Sequence, residues 1–118
     1  MRVKLKPETE RISQRLGRIP LSDGDVADVI EILIGVSGRS EYRIVDPDGG
    51  SFLASVADFI IVSAVTPSGW AILPQLSGGL QVTFPEFAEV GFWERYFDGD
   101  PAAVQIHDDV LAHALSED

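Results

Sequence analysis

With 118 residues, 45% hydrophobic and 24% charged, the chain is long enough to bury a core and has the composition of a folded domain, not of a disordered segment. It has no cysteine, which excludes disulfides, thiolate metal ligands and cysteine nucleophiles. Its net charge of −10 is polarised: residues 1–18 hold six basic and two acidic residues (+4), and the remainder holds three basic and 17 acidic (−14). A field of that sign repels nucleic acid and anionic lipid and attracts a basic partner, although the same charge also serves solubility alone.

The expectation is a single α+β domain over residues 1–118, placed in the cytoplasm. No apolar run follows Arg2 and Lys4 to make a secretory signal. The apolar-rich stretch from Phe52 to Val65 is broken by Ser55, Asp58 and Ser63 and is too short to cross a bilayer.

In chain order, Arg2 to Lys6 alternates, with Val3 and Leu5 on one side, and reads as a short strand or a loose arm. Pro7 suits the first turn of a helix; Ile12, Leu16 and Ile19 follow at helical spacing, with Arg11, Arg15 and Arg18 on another face and Gly17 as a stop. Ser22-Asp23-Gly24-Asp25 has capping chemistry, and Val26, Val29, Ile30, Leu33, Ile34 and Val36 follow at a 3–4 spacing. That spacing predicts a buried helix from about Asp23 to Val36, with Asp28 and Glu31 off its apolar stripe.

The middle of the chain reads as strands. Glu41 to Val45 and Ser51 to Ala57 flank the turn Asp46-Pro47-Asp48-Gly49-Gly50. Asp58 to Val65 reads as a central strand buried on both faces. Trp70 to Leu73 and Leu80 to Phe84 follow, separated by turns at Thr66–Gly69 and Ser77–Gly79, and Pro74 suggests an edge or a bend. Together they predict an antiparallel meander of about four to five strands over residues 41–84. The C-terminal third returns to helix: Phe87, Val90, Trp93 and Phe97 share a 3–3–4 spacing, and Asp100-Pro101 is an N-cap followed by N1. The last helix carries Val104, His107, Leu111, Ala114 and Leu115 on one side, the alternative being a strand at Ala102 to Ile106 followed by a shorter helix.

Six of the ten aromatic residues fall between Phe84 and Phe97. If Phe87, Val90, Trp93 and Phe97 face the sheet, Phe92 and Tyr96 form an adjacent face beside Glu89. An exposed face of that kind is an acid-rimmed aromatic patch of the sort found at protein interfaces. Buried, the same residues are core. Candidate partner-binding residues are therefore Glu89, Phe92, Trp93, Tyr96, Asp98 and Asp100.

Other chemistry is thin. Asp46 and Asp48 sit in a loop that lacks the ligand order of a calcium site and fits a hairpin turn. His107, Asp108, Asp109 and His113 place only Asp109 and His113 on one helical face, short of the three convergent ligands a transition metal needs, so no metal and no cofactor are expected. There is no nucleophile elbow, phosphate loop or dinucleotide fingerprint, so no catalytic residue is named and the enzyme question stays open. Three functions remain. The first is a small acidic binding or inhibitory module, of the immunity or antitoxin type, docking a basic protein. The second is a ligand-binding or enzymatic domain with Trp70, Trp93 and Tyr42 as pocket walls. The third is a homo-oligomer built on Phe92 and Tyr96.

Overall fold

The structure is a computed structural model that describes residues 1–11, 19–36 and 38–116. Its strands are β1 (Arg2–Leu5), β2 (Val26–Ile34), β3 (Ser40–Val45), β4 (Ser51–Ser55), β5 (Phe59–Ser63), β6 (Ala71–Pro74) and β7 (Leu80–Thr83), followed by helices α1 (Phe92–Phe97) and α2 (Pro101–Ser116). All strand pairs are antiparallel and belong to one connected sheet. The α+β class holds, with α2 as the long C-terminal helix.

Strand β2 is the hub. One of its edges pairs with β3. The other is shared end to end: residues 26–28 pair with β1, and residues 31–34 pair with β7. The sheet therefore branches into one limb ending at β5 and another ending at β6. The first limb is strongly curved. In a flat sheet β3 and β5 stand three spacings, about 14 Å, apart. Yet the rings of Tyr42 (β3) and Phe59 (β5) meet edge to face at 6.0 Å. Curvature closes one core, built on Val3, Leu5, Val29, Tyr42, Ile44, Ala54 and Phe59. A second core, of Ile30, Phe84, Phe87, Phe92, Ala103, Leu111 and Ala114, involves both helices. In register, Glu31 opposes Arg43 and Thr83, and Val45 opposes Ser51, so these residues share the helix-covered face.

The segment expected to be a helix over 23–36 is strand β2. Its run of β-branched residues favours the extended chain. The misleading 3–4 spacing comes from a bulge: Val29 opposes Ile44 while Glu31 opposes Arg43, so Ile30 is an extra residue. The bulge lets Val29 enter one core and Ile30 the other. In the described part of the expected first helix, Glu8–Glu10 form a single 3-10 turn. Ile12, Arg15, Leu16, Gly17 and Arg18 lie outside the described residues, and Arg11 pairs with Asp23.

Strand β5 was expected at the centre, buried on both faces. It is the end of the β4-β3-β2-β1-β5 path, and Ile60, Ile61 and Val62 are 47, 52 and 54% exposed. Nor is the sheet a meander. The pairs β2–β3, β3–β4 and β6–β7 are hairpins, but β5 crosses to β1, and β7 returns to β2. An apolar run is compatible with either place, and long-range pairing chooses between them. The turn at Asp46 is a hairpin turn: its Oδ1 accepts from the N–H groups of Asp48 (2.9 Å) and Gly50 (3.0 Å), and Gly49 takes a φ of 88°.

Candidate partner-binding face

The helical layer begins where Pro85–Phe87 form one 3-10 turn, with Pro85 at its start. Gly91, at a φ of 79°, reverses the chain before α1. These two breaks reset the helical phase, so Phe87 and Val90 are not on the same helix as Trp93 and Phe97. The expected faces are exchanged as a result. Phe92 is 1% exposed and packs 5.1 Å from Phe87, whereas Val90 and Phe97 are 89 and 58% exposed. An interface centred on an exposed Phe92 is ruled out by this burial; apolar exposure in the layer belongs to Val90, Phe97 and, on α2, Leu115.

The other expected residues divide between surface and structure. Glu89 is exposed and stands 3.5 Å from Arg95. Asp98 is exposed at the end of α1. Asp100 caps α2: its Oδ1 accepts the N–H of Ala102 at 3.0 Å, with Pro101 at the first helical position. Trp93 and Tyr96 are half-buried. Trp93 joins a buried polar cluster that no local motif announced. Glu31 is fully buried and accepts hydrogen bonds from Arg43 Nε (3.1 Å), Gln81 Nε2 (2.7 Å) and Trp93 Nε1 (3.3 Å). The Arg43 guanidinium lies over the Trp93 ring, 3.9 Å from its centroid, with Phe97 beyond at 5.9 Å. Burial pushes the Arg43 pKa down, and Glu31 beside it, then Glu41 and Glu94, oppose that shift. The four members lie on β2, β3, β7 and α1, so only the folded sheet assembles them. The available signal was a charge inside each apolar run, Glu31 between Ile30 and Ile32 and Arg43 between Tyr42 and Ile44.

Tyr96 stacks on the fully buried His107 ring, with centroids 4.3 Å apart. Burial raises the Tyr96 phenol pKa, and the charges of Asp108 and Asp46 raise it further. His107 bridges helix and sheet: Nε2 is 2.8 Å from Ser51 Oγ, and Nδ1 is 2.9 Å from Asp108 Oδ1. This Ser–His–Asp chain has the connectivity of a nucleophilic triad, but Ser51 is itself buried. The contact serves to dock α2 on β4. Asp109 and His113 line a cavity of about 300 Å³ with Ser68, Phe84 and Glu86. Among the described residues, no three histidine, aspartate or glutamate side chains gather into a metal-holding group.

A larger cleft of about 500 Å³ opens between the β6–β7 turn and α1. Arg43, Gln81 and Trp93 line its buried side, and Leu76, Glu89, Val90 and Glu94 its exposed rim. Of the three aromatic residues expected to wall a pocket, Trp93 lines this cleft. Tyr42 lies in the opposite core, and Trp70 packs against both cores. No described helix is long and apolar enough to cross a membrane. Comparison with protein-family models, with curated proteins and with solved structures returned no match.

Proposed function

We propose that the protein is a small acidic binding or inhibitory module whose helical layer docks a basic protein partner. The observation that supports this reading is the composition of the layer's exposed surface. Glu86, Glu89, Glu94, Asp98, Asp108 and Asp109 are exposed in the same layer as Val90 and Phe97, Glu89 and Glu94 share one cleft with Val90, and Arg95 is the one lysine or arginine after Arg43. Apolar anchors on a layer rich in carboxylates suit a cationic surface. The carboxylates steer encounter, and exclusion of water from Val90 and Phe97 holds the complex.

The test is capture from extracts of the native host at low and high salt, with the wild type beside a Glu89→Gln/Glu94→Gln/Val90→Lys variant. A basic protein retained at low salt, weakened at high salt and lost with the variant supports the reading. Recovery of no basic protein under either condition removes it.

The cleft favours one alternative, a small-ligand site. Its volume falls within the range of roughly 300–1,000 Å³ usual for ligand pockets. It offers the donors of Arg43 and Gln81 beside the indole of Trp93. In a Trp70→Phe background, Trp93 is the sole tryptophan and its fluorescence reports occupancy. A broad set of polar metabolites that leaves this signal unchanged counts against the alternative.

A further inference from the structure

Arg43 is only 6% exposed, yet it belongs to the lining of the cleft between the β6–β7 turn and α1. Its Nε donates to Glu31, and the Trp93 ring covers one face of its guanidinium. Among the described residues its terminal Nη groups have no hydrogen-bond acceptor. Nor are they sealed inside: the buried side-chain atoms left without a partner belong to Trp70, Thr83 and Arg95. Unused guanidinium donors that open only on a cleft require an acceptor from outside. The charge around them selects its kind. Glu31 already neutralises Arg43, and Glu41 and Glu94 add further negative charge. A carboxylate or phosphate therefore meets net repulsion there, whereas an uncharged carbonyl oxygen does not. The rim has the complementary need. Glu89 stands opposite Arg95 at 3.5 Å, but Glu94 is exposed and has no ion pair among the described residues. Leu76 and Val90, both almost fully exposed, supply the apolar part of the same cleft.

From these features we propose that the cleft receives one basic residue of the partner's chain: its main-chain carbonyl accepts from the Arg43 Nη groups, its aliphatic stem lies against Leu76 and Val90, and its cationic end meets Glu94. The assignment rests on the docking function and specifies what that function recognises. A neutral acceptor, an apolar stem and a terminal cation occur together in a lysine or arginine within a peptide. Other small cations meet only part of the requirement. A linear diamine has no carbonyl for Arg43. A free amino acid brings a carboxylate into the field of Glu31 and Glu94. An uncharged residue of the same length leaves Glu94 unmatched. One residue is a small anchor, so an isolated peptide binds weakly, and the rest of the layer adds to the affinity for a whole protein.

The test is titration of the full chain at low salt with an acetylated, amidated Gly-Lys-Gly peptide, read by the NMR signals of the Arg43 guanidinium N–H groups and the Trp93 indole N–H. Both are expected to shift saturably, with a Kd on the order of 1 mM. The same peptide with norleucine in place of lysine, free lysine and cadaverine are each expected to bind more weakly. High salt weakens the lysine peptide by screening Glu94. Glu94→Gln, a change at an exposed position, is expected to weaken it about two- to fivefold. Signals that stay unmoved at tens of millimolar peptide overturn the proposal. So does equal binding of the norleucine peptide, or a shift at Trp93 with none at the Arg43 guanidinium. Capture from host extracts separates the two claims. A basic protein captured by a chain whose cleft ignores the lysine peptide leaves the docking function standing and removes this assignment. Peptide binding without any captured partner supports the cleft chemistry and removes the docking function.

Discussion

Residues 59–85 and the helical layer after them expose apolar side chains under opposite electrostatic conditions. The first region shows Ile60, Ile61, Val62, Val65, Ile72, Leu76 and Leu80 without a single charge. The second shows Val90, Phe97 and Leu115 among carboxylates, nine of them from Glu86 onward against Arg95 alone. Apolar area sets how much surface can be buried on association, and the surrounding charge sets what can approach it. The bare region offers apolar area without a carboxylate in its own segment, whereas the acidic layer offers apolar area within a negative field, the property on which the proposed cationic partner rests.

The comparison breaks most readily at the joint between the two regions, where sheet and helices share the buried cluster on Glu31. Glu31→Ala leaves Arg43 buried without its carboxylate and removes the acceptor of Gln81 and Trp93. A loss of about 3–5 kcal/mol is expected, measured by urea denaturation. A double variant, Glu31→Leu/Arg43→Met, removes both charges and is expected to recover part of that loss. Recovery stays incomplete because Gln81 and Trp93 remain without their acceptor.

On the helical side, Phe87→Ala empties a position whose ring touches Phe84, Phe92 and Trp93, and it should also cost about 3–5 kcal/mol. The same substitution should change Trp93 fluorescence, which checks that the cavity forms beneath α1. Ser51→Ala removes the hydroxyl that meets His107 and leaves a buried ring nitrogen without its sheet partner. The expected cost is about 1–3 kcal/mol by thermal denaturation. Assay of the same variant against simple esters is expected to show no hydrolysis to lose, since the serine is buried.

The smallest effect is on alkaline titration, and it samples both cores. Burial raises the phenol pKa of Tyr42 in one core and, first among its causes, of Tyr96 in the other. A raised phenol pKa means that the folded state holds the proton more tightly. The associated stability is complete below the ordinary value of 10.0 and is lost as pH rises through the folded values. Absorbance titration should therefore show less tyrosinate at pH 10.0 in the native protein than in the urea-unfolded chain. Equal ionisation in both states would show that neither ring is shielded.

Local chemistry alone determined much of this protein. The α+β class, the hairpin at Asp46–Gly50, strands β3, β4, β6 and β7, and the Asp100-Pro101 start of α2 all follow from turn residues, caps and period-two alternation, which act over a few neighbouring positions. So does the concentration of acid and aromatic residues after Phe84. Tertiary structure decided the rest. The bulge at Ile30 gave β2 a helix-like spacing, and only pairing with β3 and β7 shows that this stretch is the hub of the sheet. Strand order placed an apolar run, β5, at an edge instead of the centre. The breaks at Phe87 and Gly91 exchanged the faces of the aromatic segment, burying Phe92 and exposing Val90 and Phe97. Glu31, Arg43, Gln81 and Trp93 meet although 62 positions separate the first from the last. Register and burial are settled by contacts between distant segments, and the spacing of neighbours within one segment does not encode them.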